Sequence, residues 1–363
     1  MLDSAETVVQ TRLEEGGGDV RPLDIRRLTE TTAEQRMQFY SAMYPHRAAV
    51  LAAHWRWWYG IGVDPRTEPL VALSEDRVIG HLGTMPLRLS IGGEVRPGAW
   101  ALDLGVLPEA RNRRISNRLF HALAETQLHM LGHGNSRSVP IATRYCGWLR
   151  KVGVYRCALP LRPLRVASRG GLLRIGAPVF DPAWGWGLRA LLGRAPRLEP
   201  CALPGEAAIA RNIEPPRECG NGIIRDEDWV RWRFFDGPFR DSYRAFQLDG
   251  CLAVVRSVLN RGLWRLHVVA LGGGGERDRR ALLDGIVRWA LLNGYDLVWT
   301  VTEQPEILRL TRFKLPFRLA VRFIVHGPDA DATQMLATDF GPILACDSDF
   351  DLIYQPDLGS RCW

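Results

Sequence analysis

The stretch DLGVLPEARNRRISNRLF, residues 103–120, carries residue types from which phosphate sites are built. An apolar strand pattern runs into Pro108-Glu109, arginines follow at 111, 113 and 114, and a helical pattern begins with Ile115, Leu119 and Leu123 near one face. A helix start leaves backbone N–H groups unpaired and carries partial positive charge. A turn that points successive N–H groups inward holds a pyrophosphate. Arg111, Asn112, Arg113, Arg114, Ile115 and Ser116 fit such a turn, and a plain strand–helix connection is the alternative.

Asp103 lies within AWALDLGVL, where a carboxylate must find partners if it is buried; capping a turn or pairing with an arginine would satisfy it. His81 follows Gly80 in a strand pattern, positioned for a cleft or for the core. Trp55, Trp57, Trp58 and Tyr59 could stack on a sugar or ring, but their echo at Trp232, Phe234 and Phe235 favours packing. Asp347, Asp349 and Asp351 alternate in CDSDFDL without the glycine and distal glutamate of a calcium loop, so a solvated loop is expected. The run LGGGGERDRRALL lacks the Lys-Ser/Thr of a nucleotide P-loop.

The 363 residues suffice for two domains, and the 46% of hydrophobic residues suffices for a sizeable core. The net charge of +7 is spread along the chain, unlike a nucleic-acid-binding tail. Only Lys151 and Lys314 are lysines, an arginine bias that discounts each arginine cluster. Seven scattered cysteines show no CxxC pair and no zinc spacing, which fits reduced thiols in a cytoplasmic protein. The polar start has no signal-peptide core, and no apolar run has the length of a membrane span.

Strands are expected at 24–29, 69–74, 77–91 and 98–107, with two helices over 33–58. A helix over 112–131 ends at Gly132, then come a strand at 137–142, a helix at 143–152 and a strand from 154. Residues 166–222, rich in Gly, Pro and Arg, read as a linker with a short helix at 185–193. There Trp184 and Trp186 pack on a domain or touch a membrane surface. The pattern then returns: WRWWYG is echoed by WRFFDG, DRVIGH by DGCLAV, ARNRRISNRLF by ERDRRALLDGI and KVGVYR by KLPFRL, all in the same order.

The order strand, V-x-P-E-x-R-x-x-x-I, helix resembles motif A of the GNAT family of N-acetyltransferases. VALSEDRVIGHLGTM resembles that family's second and third strands, and WLRKVGV its Y-x-K-x-G-F segment. The resemblance implies an α/β fold (an α+β mixed sheet) in two tandem GNAT-like domains, at 22–165 and, in degenerate form, at 223–355. A linker at 166–222 and tails at 1–21 and 356–363 complete the chain. It implies acetyl-CoA or another acyl-CoA as co-substrate, no metal, and the diphosphate on residues 111–116. By the same resemblance the thioester carbonyl meets the backbone of Leu104, Gly105 and Val106, and Asp103 is the general base, with His81 as a further candidate. Leu149 stands where many members have the tyrosine that protonates the thiolate, and Tyr145, one helical turn earlier, is a candidate for that role, with a thiolate protonated by another donor as the alternative. Arg114 replaces a glycine of the phosphate turn, and Asn112 is the residue there that tolerates a left-handed backbone. The expected activity is N-acyl transfer to a small amine such as an amino sugar or amino acid, in a bacterial cytoplasmic protein. An aminoacyl-tRNA-dependent transferase of Fem type is an alternative, and nucleic acid is a partner in that case alone. A non-catalytic binding protein with a decayed GNAT fold is the other.

Overall fold

Leu70–Ser74 and Arg77–Ile91 are apolar runs separated by Glu75-Asp76, and they pair as an antiparallel hairpin with Glu75 left-handed (φ 55°). The same device recurs where Tyr243–Leu248 meets Cys251–Asn260 across Asp249 (φ 47°) and Gly250. A short polar turn between apolar strands closes a hairpin because the left-handed residue reverses the chain in two steps. These hairpins begin two sheets in a computed structural model that describes residues 23–111, 113–167, 173–213, 220–260, 262–303 and 318–348.

In chain order the first half gives β1 (Asp24–Arg27), α1 (Ala33–Met43), α2 (Ala48–Trp58), β2 (Leu70–Ser74), β3 (Arg77–Ile91) and β4 (Glu94–Val106). It continues with α3 (Ile115–Ala124), β5 (His129–His133), α4 (Ser138–Tyr145), β6 (Leu149–Lys151) and β7 (Tyr155–Pro160). Then follow α5 (Pro163–Ala167), α6 (Leu173–Leu191), α7 (Glu206–Ile213), β8 (Gly222–Ile223), α8 (Glu227–Val230), β9 (Tyr243–Leu248), β10 (Cys251–Asn260) and β11 (Leu263–Gly273). The last are α9 (Glu276–Leu292), β12 (Leu297–Thr302), β13 (Arg318–Ala320), β14 (Phe323–His326) and α10 (Ala330–Thr338).

The first sheet runs β1-β2-β3-β4-β5-β14-β6, with β8 on the far end of β3; the second runs β13-β7-β12-β11-β10-β9. Read from β2 and from β9, the two have the same order and the same sense of pairing, with one parallel pair each, β4–β5 and β11–β12. The fold is thus mixed α/β with two sheets, as expected, but two strands change places. β7 follows β6 in the chain yet pairs with β12 and β13, while β14, from the far half, lies between β5 and β6. The segment beginning at Tyr155 therefore belongs to the second sheet, not to the one its neighbours build.

Several local expectations are corrected. The helix expected over 112–131 stops at Ala124; Gln127 turns the chain (φ 56°) and β5 follows, with Gly132 inside it. The strand expected at 137–142 is α4, whose start is held by the Asn135 side chain accepting the N–H groups of Arg137 and Ser138. The expected short linker helix is the longer α6. Along it, Trp184 donates its indole N–H to the Pro160 carbonyl (3.1 Å), whereas Trp186 is exposed.

Helix α3 lies directly on β3: a Cβ placed on Gly80 would stand 2.6 Å from Ile115 Cγ2, so only glycine permits this approach. The tryptophan cluster packs, as the repeat suggested. Trp57 and Trp232 each donate an indole N–H to the other's carbonyl, at 2.9 and 3.2 Å, joining the two halves. That exchange pairs Trp57 with Trp232, not with Phe234 as the echoed motifs align. Asp347 is a buried group, not a solvated one: Arg225 clamps it with Nε and Nη2, both at 2.6 Å. Asp349, Asp351 and Lys314 lie outside the described residues.

The exchanged strands predict that neither half folds by itself. A chain ending at residue 165 lacks β14 and leaves the edges of β5 and β6 open. Expressed alone, it is expected to be aggregated or to show no cooperative thermal transition, and co-expression with residues 166–363 should restore one. A soluble half with dispersed amide resonances would contradict this.

Candidate active site

Strands β4 and β5 run parallel from Gly98–His129 to Ala101–Gly132 and then diverge. Just beyond, the β3–β4 register slips between His81 and Gly83, and Asp103 adopts the left-handed conformation (φ 50°). That conformation costs a residue with a side chain about 1 kcal/mol, and four side chains hold it. The Tyr44 hydroxyl donates to the Asp103 carbonyl (2.6 Å), and Nδ1 of His81 lies 3.1 Å from the same oxygen. The Asp103 carboxylate accepts from the Arg47 guanidinium and from the Tyr59 hydroxyl (3.1 Å). Tyr44 ends α1, Arg47 starts α2 and Tyr59 ends it, so the two N-terminal helices fix the irregular turn of β4.

A cleft of about 600 Å³ opens where the strands part. Tyr44, Asp103 and Leu104 line one side, His133 and Ser138 the other, and Arg156 and Arg322 come from the exchanged segments. Burial and the charge of Arg156 push the His133 imidazole down to about 4, so it is neutral at physiological pH. Burial raises the Tyr59 phenol, with the Asp103 charge adding to it, which keeps that hydroxyl protonated and donating. His81 is fully buried against the rings of Phe39, Tyr40 and Tyr59, and burial lowers its pKa.

The candidate residues thus separate. Asp103 and Leu104 line the cleft, and Gly105 and Val106 continue β4 opposite His81 and Gly80. His81 supports the turn from behind and does not line the cleft. Tyr145 is exposed at the end of α4 and does not line it either. Beyond β4, a 3-10 turn over Pro108–Ala110 leads through Arg111 to the start of α3. The left-handed residue there is Arg114 itself (φ 53°, ψ 24°), directly before Ile115 and Ser116 in the first turn of the helix. Arg114 therefore holds a left-handed backbone of the kind glycine adopts without cost; Asn112 lies outside the described residues. Arg111, Arg113 and Arg114 are exposed at this helix start.

A model of the acetyltransferase (GNAT) domain matches residues 24–149, the span from β1 through α4 to the first residue of β6 that carries the diverging strands and the arginine turn. Residues 24–149 are a GNAT domain. Solved structures extend the likeness of fold beyond it. A GCN5-related N-acetyltransferase from Anabaena variabilis superposes with a TM-score of 0.53 at 11% identity, covering 87% of this chain and 75% of the other. An N-myristoyltransferase from Saccharomyces cerevisiae, solved with bound myristoyl-CoA, gives 0.54 at 12% identity, covering 88% and 85%. A GCN5-related N-acetyltransferase from Kribbella flavida gives 0.52 at 14%, covering 86% and 73%. No curated protein matches this chain by sequence.

The second sheet has the same divergence, with β11 and β12 parallel from Arg265–Leu297 to His267–Trp299. There the chain fills the gap. Leu344 bridges to Thr302, and the buried turn Ala345–Asp347 sits against β11 and β12. Helix α7 covers the end of β11, where a Cβ on Gly272 would overlap the Asn212 carbonyl. Among the described residues, no segment fills the β4–β5 divergence in the same way.

The sequence pointed to Asp103 and the arginine turn but not to Tyr44, Arg47, His133, Arg156 or Arg322. An arginine opening a helix beside an aromatic end, as Arg47 does after Tyr44, was the available signal for Asp103's partner.

The buried histidines predict acid sensitivity. His81, His133 and His267 have folded-state pKa values below 6.5, with His133 near 4. From pH 6.5 down to about 4 the unfolded chain binds protons that the folded chain refuses, so stability falls as pH falls. Tm should be level above pH 7 and drop through this window, and His133→Gln should flatten part of the slope. A Tm unchanged between pH 7 and 4.5 would contradict it.

Proposed function

We propose that this chain transfers an acyl group from acyl-CoA, acetyl-CoA in the simplest case, to the amine of a small acceptor. The observation that supports this best is the open cleft at the β4–β5 divergence, joined by a short turn to a helix start whose leading residue keeps a left-handed backbone. In this reading the diphosphate lies on the N–H groups of residues 112–116, with Arg111 and Arg113 adding charge. The thioester carbonyl faces the backbone of Leu104–Val106. The amine nitrogen bonds to the carbonyl carbon, the C–S bond breaks, the amine loses a proton to solvent and the CoA thiolate gains one.

The two sheets read as two copies of one domain that have exchanged β7 and β14. The first copy works, and the second, its cleft filled by residues 344–347, walls the acceptor side. Asp103 is the one carboxylate lining the cleft among the described residues, but both its oxygens already accept hydrogen bonds. Its role in this reading is to fix the β4 turn, as a positioning residue and not as a free base.

Acetyl-CoA should bind in calorimetry. Arg114→Gly, which suits the left-handed backbone, should preserve the affinity. Arg114→Val should weaken it, since a β-branched residue tolerates the left-handed backbone much less well than arginine does. Silence of the wild type with acetyl-CoA would remove the proposal. Asp103→Asn should lower turnover by about tenfold, by misplacing the β4 turn against which the thioester lies, while the acidic limb of the pH–rate profile persists; loss of that limb would show that the carboxylate takes the proton itself.

A further inference from the structure

Two arginines line the cleft from the exchanged segments: Arg156 on β7 and Arg322 immediately before β14. Nε of Arg156 is buried and has no hydrogen-bond partner among the described residues. The aromatic face near its guanidinium is Trp299, at 5.8 Å, which shields the group from water without neutralising it. Arg156 is half-buried, and a guanidinium withdrawn from water without a counter-charge is costly; among the described residues the cleft offers it none. Asp103, the only acid lining the cleft among the described residues, is held by Arg47. Glu303, on the residue after β12, is turned to Lys151 (3.0 Å) and to the Ile343 N–H (2.9 Å). His133, kept neutral by burial and by Arg156, adds no negative charge.

We propose that the acceptor binds as an anion, an amine that also bears a carboxylate or phosphate, gripped by Arg156 and Arg322. The inference rests on the acyl-transfer reading, because it assigns the remaining end of the same cleft. Planar guanidinium forks match both oxyanions, and two of them approaching from different strands fix the distance between the anionic group and the amine. A neutral or cationic amine would leave Arg156, whose Nε is buried, without a counter-charge, while the exposed Arg322 adds positive potential that repels a cation, so the pair selects against both.

The test keeps the two readings apart. In the presence of saturating CoA, which fills the helix-start site, wild-type protein is melted in inorganic phosphate, in succinate and in chloride of equal ionic strength. A rise in Tm with phosphate or succinate over chloride is expected, absent in the Arg156→Gln/Arg322→Gln double variant, and the larger rise identifies the class of anion. An equal CoA affinity of wild type and variant, by calorimetry, shows that the variant is folded. In turnover, matched amines are compared: phosphoethanolamine with ethanolamine, and β-alanine with ethylamine. The anionic member should be favoured at least about tenfold in kcat/KM, and Arg156→Gln should erase that preference. No anion-specific rise in the wild type, an equal rise in the variant, or turnover favouring the neutral amines would each overturn the proposal. If acetyl-CoA fails to bind at all, the acyl-transfer reading falls instead, and the anion shift is still read in CoA-free protein.

Discussion

The insertion of β14 between β5 and β6 is the constraint on which the first sheet depends. A strand edge exposed within a sheet leaves alternate N–H and C=O groups without partners. β5 pairs with β4 on one side, and on the other it needs four residues that the chain supplies from its far half. β7 meets the same need beside β12. Each half thus carries a strand that completes the other, and the Trp57–Trp232 pair ties the halves at a second point. The cleft inherits its dimensions from this arrangement, since the Gly134 N–H donates to the Arg322 carbonyl (3.0 Å) and so places that arginine on the cleft wall.

What was legible in the sequence is what local pattern encodes. The β2–β3 hairpin was plain from two apolar runs around Glu75-Asp76, and the start of α3 from the arginine turn. The end of α3 was not, because Leu128, Met130 and Leu131 continue an apolar pattern and the turn at Gln127 uses no glycine. α4 hid behind the strand-like residues Val139 and Ile141, although Asn135, three residues before Ser138, was a cap in plain view. The placement of β7 and β14 has no local signature, since each is an ordinary short strand whose partners lie elsewhere in the chain. For the site, Asp103 stood out as a carboxylate in an apolar strand. Its holders Arg47 and Tyr59 lie roughly 40 to 60 residues earlier and meet it only through the packing of α2.

The two divergences show how one backbone plan takes different roles. Parallel neighbours that part after a few pairs leave a gap, and a gap must be filled by side chains, by chain or by something bound. In the second sheet the filling is permanent: Arg225 and Asp347 are both fully buried, and their bidentate pair locks the 344–347 turn in place. In the GNAT domain the helices α1 and α2 brace the rim at Asp103, and among the described residues none fills the cleft beyond it.

The exchanged strands also bear on synthesis. β5 pairs with a strand roughly 190 residues further along the chain. At about 5–20 residues per second of translation, the first sheet stands incomplete for roughly 10–40 s after β5 is made. During that interval the β5 edge faces the cellular milieu as an open pairing template. A ribosome pausing between β7 and β14 would lengthen that exposure.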